Sequence, residues 1–158
     1  MPRLGNYAAR ASAKSPASAA IRGTTLSFDV QFSPFFLLDF SSDGVREVTD
    51  ISQSSPSIGD ESVFQDQLLQ SGKVVGQDGG SCTITRVDLT ATPPLDTACQ
   101  VTFDLPRGVV ATQGLVTNAP VRHLVIAGGT GAYLGAAGEV TVTEFENNTG
   151  TAVFRFAD

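Results

Sequence analysis

Few side chains in this sequence can do chemistry. There is one His, His123, and there are two Cys, Cys82 and Cys99. A Ser-His-Asp or Cys-His arrangement would need a nucleophile motif to go with His123, and the sequence offers none, so a surface or strand-packed imidazole is expected. Zinc would need three or four N, S or O ligands at characteristic spacing, and that spacing is missing. Gly128-Gly129-Thr130-Gly131-Ala132-Tyr133 has the outline of a phosphate loop. The dinucleotide fingerprint, however, wants Gly where Leu134 stands, and an alternating Glu139-Val140-Thr141-Val142-Thr143 follows instead of a helix. A tight strand connection that only Gly tolerates is expected there. Carboxylate chemistry remains. Asp29, Asp66 and the amide Gln113 interrupt strand-like runs, Asp66 in step with Phe64 and Leu68, and Gln113 with Val109, Ala111 and Leu115. An acid on an apolar strand face is either solvated at a rim or held in a pocket with a raised pKa. Spacing alone favours the solvated state.

The elements that must position these groups are strands. Leu26, Phe28, Val30 and Phe32 alternate with Ser27, Asp29, Gln31 and Ser33, a period of two. Similar runs are predicted at 62–69, 81–89, 98–104, 109–116, 121–127, 139–145 and 151–156. They are separated by turn chemistry such as Gly72, Gly79-Gly80, Pro93-Pro94, Pro106-Arg107-Gly108 and Asn147-Asn148-Thr149-Gly150. No helical stripe competes with them. About eight short strands favour a closed antiparallel barrel, which removes exposed edges and leaves room for one small ligand. Residues 41–61 are polar and turn-rich, and are expected to form a long mobile loop or a lid.

Composition sets the outer limits. A chain of 158 residues allows one domain with a real core. Ten Lys+Arg against sixteen Asp+Glu give −6, which argues against nucleic acid as a partner. No apolar run approaches the ~18–20 residues of a membrane span; the longest is Phe35-Phe36-Leu37-Leu38. Residues 1–25 hold Arg3, Arg10, Lys14 and Arg22 without an acid, and are expected to be a disordered basic Ala/Ser-rich tail ahead of a single domain at 26–158. The tail has no apolar h-region, which points to a cytoplasmic protein, with secretion as the alternative if a leader is removed.

Cys82 and Cys99 lie on runs that meet over the Pro93-Pro94 turn and could face one side as cross-strand neighbours. A disulfide, implying an oxidising compartment, and two buried thiols both fit.

In sequence order, Gly76-Gln77-Asp78-Gly79-Gly80-Ser81-Cys82-Thr83, Gly108 to Gln113-Gly114, and the stretch from Leu124 through Gly128-Gly129-Thr130-Gly131-Ala132-Tyr133 to Gly135-Ala136-Ala137-Gly138-Glu139-Val140 carry a resemblance. The chain resembles the allene oxide cyclase and dirigent barrel superfamily, nearest its bacterial dirigent-like members, from about Leu26 to Phe156. The resemblance implies an eight-stranded antiparallel β-barrel of lipocalin-like, calycin architecture. It also implies a hydrophobic cavity, no cofactor, and self-association as a dimer or trimer.

The same resemblance implies site residues. The plant cyclase's first-strand Glu is matched by Asp29, the Asn two places on by Gln31, and its Ser-Pro pair by Ser33-Pro34. Its pocket Phe, Asn and Cys fall on Phe64, Asp66 and Cys82. Its pocket Tyr falls on Val116, and the Arg of dirigent-type members on Ala137. Asn replaced by Asp exchanges an amide for a carboxylate, and Ala137 removes a guanidinium, so allene oxide itself is not the expected substrate. Asp29 and Asp66 are the expected catalytic acids. Gln31, Phe64, Cys82, Phe103, Gln113, Val116, Tyr133 and Ala137 are the expected substrate contacts. The implied function is a cofactor-independent cyclase or isomerase that folds a reactive hydrophobic molecule, such as a polyketide-like polyene, and directs its ring closure; a four-plus-two cycloaddition is one form of this. The alternative is a secreted, non-catalytic dirigent-type or small-molecule-binding barrel. Strand parity imposes one condition: if Asp29 enters the cavity, then Leu26, Phe28, Val30 and Phe32 face outward and need a partner surface.

Overall fold

The period-two pattern of the first strand settles the geometry of the whole sheet. In β1 (Thr25–Gln31) Phe28 and Val30 are buried, while Asp29 and Gln31 are exposed. The apolar set therefore points inward, and the argument for a partner surface over these side chains lapses. The structure, a computed structural model, describes residues 20–40, 44–48 and 55–158, with 44–48 as backbone alone.

The remaining strands are β2 (Phe35–Asp39), β3 (Gly44–Val48), β4 (Glu61–Gln70), β5 (Lys73–Val87), β6 (Leu95–Leu105), β7 (Gly108–Thr117), β8 (Val121–Gly129), β9 (Gly138–Glu144) and β10 (Thr149–Phe156). All neighbours are antiparallel. From β4 to β10 each strand pairs with the next, and β1 pairs with both β10 and β4. Eight strands thus close a barrel, as the sequence predicts. The β2–β3 hairpin is an addition, paired to the upper part of β4 through Phe36↔Val63 and Leu38↔Glu61. It places β3 inside the stretch expected to be a loop; residues 41–43 and 49–54 of that stretch lie outside the described residues. Buried Asp60 fastens the hairpin, accepting the Phe40 N–H at 3.1 Å and the Ser57 N–H at 2.8 Å.

The described residues also reach back into the expected tail. The Ile21 N–H donates to the Ala132 carbonyl and the Gly23 N–H to the Ala157 carbonyl; residues 1–19 lie outside the described residues.

One end of the barrel is filled and the other is not. At the filled end a single 3-10 turn, Gly131–Tyr133, folds across the opening. Gly131 has φ +61, and a Cβ there would collide with the Arg107 carbonyl, so the Gly-rich segment is the tight connection expected of it. Tyr133 stacks on Phe156 at 5.5 Å, Phe156 on Phe154 at 6.1 Å, and Phe154 meets Phe28 and Phe103 edge-on at 5.8 and 5.0 Å. Gly79-Gly80, expected to be a turn, lies inside β5. A Cβ on Gly80 would strike the Gln100 backbone of β6, so glycine here permits close strand approach.

Two expectations follow. Phe154 is fully buried at the centre of the aromatic stack, so Phe154→Ala should cost about 3–5 kcal/mol in urea unfolding. Cys82 and Cys99 are cross-strand partners joined by a disulfide with a sequence separation of 17, so replacing both by Ser should cost about 2–4 kcal/mol in the same measurement.

Candidate functional site

The open end holds a cavity of about 630 Å³, within the ~300–1,000 Å³ usual for small-molecule sites. Its floor is Phe103, the ring that also packs on Phe154. Its walls are the inward residues of β4, β5 and β6: Phe64 and Asp66, Asp78 and Cys82, then Thr97, Cys99 and Val101. Val116, Leu124 and Val142 complete the far side. Phe32 to Phe35, and the turn from Phe145 to Asn148, form the rim.

The Cys82–Cys99 disulfide is part of this wall. Arg122 and Glu144 form an ion pair of 2.8 Å, and both line the cavity.

Two carboxylates share the interior. Asp66 and Asp78 are directly opposite on β4 and β5, and are only 5% and 6% exposed. Their support is unequal. β1 parts from β4 after Gln31↔Gln67, and the chain turns at Ser33, whose N–H donates to Asp66 Oδ1 at 2.8 Å. Asp78 Oδ1 is buried without a hydrogen-bond partner.

Burial pushes the Asp78 carboxyl up to about 7, and the charge of Asp66 adds to the rise. Asp66 is raised too, first by burial, while the Ser33 N–H and the hydrogen bond with Asp78 pull it back down. Two carboxylates this close cannot both ionise cheaply, so the pair keeps a proton, and it resides on Asp78. An acid that titrates near neutrality inside an apolar cavity can give or take a proton at physiological pH.

Among the expected site residues, Phe64, Asp66, Cys82, Phe103 and Val116 line this cavity. The others do not. Asp29 faces solvent from the outer side of β1. Gln31, on the same side, donates its Nε2 to the Asn148 carbonyl at 2.9 Å. Gln113 is on the outer face of β7 and Ala137 is exposed in the loop before β9. Tyr133 is buried, but in the plug at the opposite end. His123 is exposed on the outer wall, 3.2 Å from Glu139, as the sequence suggests.

Asp78, Arg122, Glu144 and Glu146 are charged lining residues that sequence reasoning missed. Arg122 is in step with buried Leu124, and Glu144 with Val142, a parity signal that was available. For Asp78 that signal was hidden by a bulge in the β4–β5 pairing between Leu68 and Leu69. Among the described residues there is no group of three or more His, Cys, Asp or Glu placed to hold a metal. No helix among them is long and apolar enough to cross a membrane.

No curated protein matches the chain. Solved structures do. A pyocyanin demethylase is 28% identical, with 85% of this chain and 100% of that one covered, at TM-score 0.69. A pterocarpan synthase dirigent protein is 15% identical at TM-score 0.56, with 84% and 92% covered. A Diels–Alderase from Streptomyces koyangensis is 14% identical at TM-score 0.59, with 84% and 68% covered. The last two show a shared barrel and no more. Residues 45–154 match the model of the allene oxide cyclase barrel-like domain. With the closed eight-stranded barrel they lie in, they show that the chain belongs to that family.

Proposed function

We propose that the barrel is a cofactor-independent cyclase or isomerase that holds a reactive hydrophobic molecule in one folded conformer and exchanges a proton with it through Asp78. The observation that carries this reading is the Asp78 side chain, set opposite Asp66 in the cavity wall as an acid that titrates near neutrality. Aromatic walls fix the guest's shape, converting conformational entropy into effective molarity. Exclusion of water protects a charged intermediate and strengthens the carboxylate's effect on it. Asp66, anchored by Ser33, keeps the proton on its neighbour. The demethylase, which by its name acts on pyocyanin, supports an enzyme acting on a small molecule, and a polyketide-like polyene is the class of guest proposed. Self-association, as a dimer or trimer, belongs to this proposal and rests on exposed Leu115, Val121 and Val125 of the outer wall.

The Cys82–Cys99 disulfide favours a second reading, a secreted barrel of dirigent type that binds and orients its guest without proton transfer. Disulfides persist in oxidising compartments, so the same bond supports a location outside the cytoplasm under either reading.

A proton-abstraction reporter separates the two. Nitrobenzisoxazole is small, flat and apolar. A carboxylate that removes its ring C–H proton drives cleavage of the N–O bond and releases a coloured phenolate, with the proton left on the acid. Wild type should accelerate this by about a hundredfold or more over Asp78→Asn, with the rate rising as pH passes about 7 and Asp78 ionises. Equal rates for the two proteins would leave only the binding barrel.

Stability provides an independent measure. The folded chain holds a proton on Asp78 that the unfolded chain releases near the ordinary carboxylate value of 3.8. Stability must therefore fall as pH rises through that interval and level off above about 7. Thermal midpoints should decline from about pH 5 to about pH 8 in wild type and decline less in Asp78→Asn.

A further inference from the structure

We infer that the guest is a ring-bearing organic cation held against the Asp66–Asp78 pair, an assignment that rests on the reading of the cavity as a small-molecule site. Three observations converge on it. The first is the acid pair itself: Asp66 and Asp78 stand opposite one another on neighbouring strands, and both line the cavity. Carboxylates in a partly enclosed wall attract an opposite charge more strongly than they would in open water.

The second is the balance of charge on the wall. Among the described residues the cavity is lined by four acids, Asp66, Asp78, Glu144 and Glu146, and one base, Arg122. That guanidinium is held by Glu144 at 2.8 Å and is not free to receive an anionic guest. Even with one proton shared between the two aspartates, the lining keeps an excess of negative charge. A guest carboxylate would meet repulsion at both depths, near Asp78 inside and near Glu146 at the rim. A cation would be drawn inward past Glu146 and would find its partner at the aspartates.

The third is the nature of the apolar lining. Phe32, Phe35, Phe64 and Phe103 line the same cavity as the acids. Phenyl faces attract cations through the ring quadrupole, more strongly when water is excluded, and they stack on flat rings. Carboxylate and aromatic walls together recognise an organic cation; aromatic walls alone would accept any apolar body.

Three tricyclic probes of one shape and different charge test this with the full chain at neutral pH: proflavine, a cation with ring N–H; aminoanthracene, neutral; and anthracene carboxylate, an anion. Affinities are read by fluorescence titration, with competition between proflavine and aminoanthracene to show one shared cavity. Proflavine should bind about tenfold tighter than aminoanthracene, with the anion weakest. Asp78→Asn should shrink the cation's advantage to about threefold or less. Asp29→Asn, which removes one surface charge far from the cavity, should leave it unchanged. Equal affinity for cation and neutral probe would overturn the inference, as would an advantage that survives Asp78→Asn or disappears in Asp29→Asn. If aminoanthracene enters and nitrobenzisoxazole is turned over while the cation shows no preference, this inference falls alone. If none of the three probes enters, the reading of the cavity as a small-molecule site falls with it.

Discussion

Closure of the sheet through β1 is the constraint on which the rest of the molecule depends. β1 pairs with β10 along its whole length and with β4 only through Asp29↔Leu69 to Gln31↔Gln67. The first pairing removes an edge, and the second turns a sheet into a cylinder with an inside. Once closed, every inward position is spoken for by parity, and a polar residue there has nowhere to go. The shortness of the β1–β4 contact is as consequential as its existence. Where β1 departs, the upper part of β4 is left to pair with β2, and the departing chain brings the Ser33 N–H onto Asp66. The same break in pairing therefore opens the mouth and sets the difference between the two acids.

The acid pair works against the fold that contains it. A buried carboxyl with an unmatched oxygen contributes nothing to stability, and above neutrality its charge opposes folding. The barrel tolerates this because its cohesion lies elsewhere. The lower half is a continuous aromatic and aliphatic stack through Phe28, Phe103, Phe154 and Phe156, capped by Tyr133. Beside the acids, the Cys82–Cys99 bond ties β5 to β6 across the register. Perturbed acids supported by a rigid surround are a common mark of functional sites, where a local cost is carried by packing at a distance.

The sequence makes the frame legible because the frame depends on period and punctuation. Leu26, Phe28, Val30 and Phe32 alternate without interruption, and Gly131 sits where only positive φ will do, so strand, inward face and connection can all be read. The site depends on register, which single-strand patterns do not encode. Counting back from the Ser71-Gly72 turn sets Asp66 opposite Gln77, with Asp78 facing out. The bulge between Leu68 and Leu69 adds one residue to β5, shifts the register by one, and brings Asp78 inside. Gly79-Gly80 hid it further, because a glycine pair suggests a turn when its flanking strands are unseen. Asp29 differs for the opposite reason: its match to a family position places it inside, while its parity with exposed Ser27 and Gln31 places it outside, and parity decides. The β2–β3 hairpin was missed because Phe35-Phe36-Leu37-Leu38 is a continuous apolar run with no alternation to mark it as a strand.

Phe103 joins the two halves of the molecule. Its ring packs against Phe154 at 5.0 Å in the core and also lines the cavity. Depth of cavity and strength of core are thus set by one residue, and a larger site can be made only by weakening the stack beneath it. Above Phe103 the constraint relaxes. The acids and Phe64 of the upper barrel line the cavity and lie outside the aromatic stack, so they can change type without unseating that stack. A barrel divided in this way can keep its lower half and exchange the chemistry of its upper half, so the fold alone does not determine the reaction. In this chain the upper half places an acid pair among phenyl rings, and it is that placement, more than the cylinder around it, that decides what can be bound and where a proton can move.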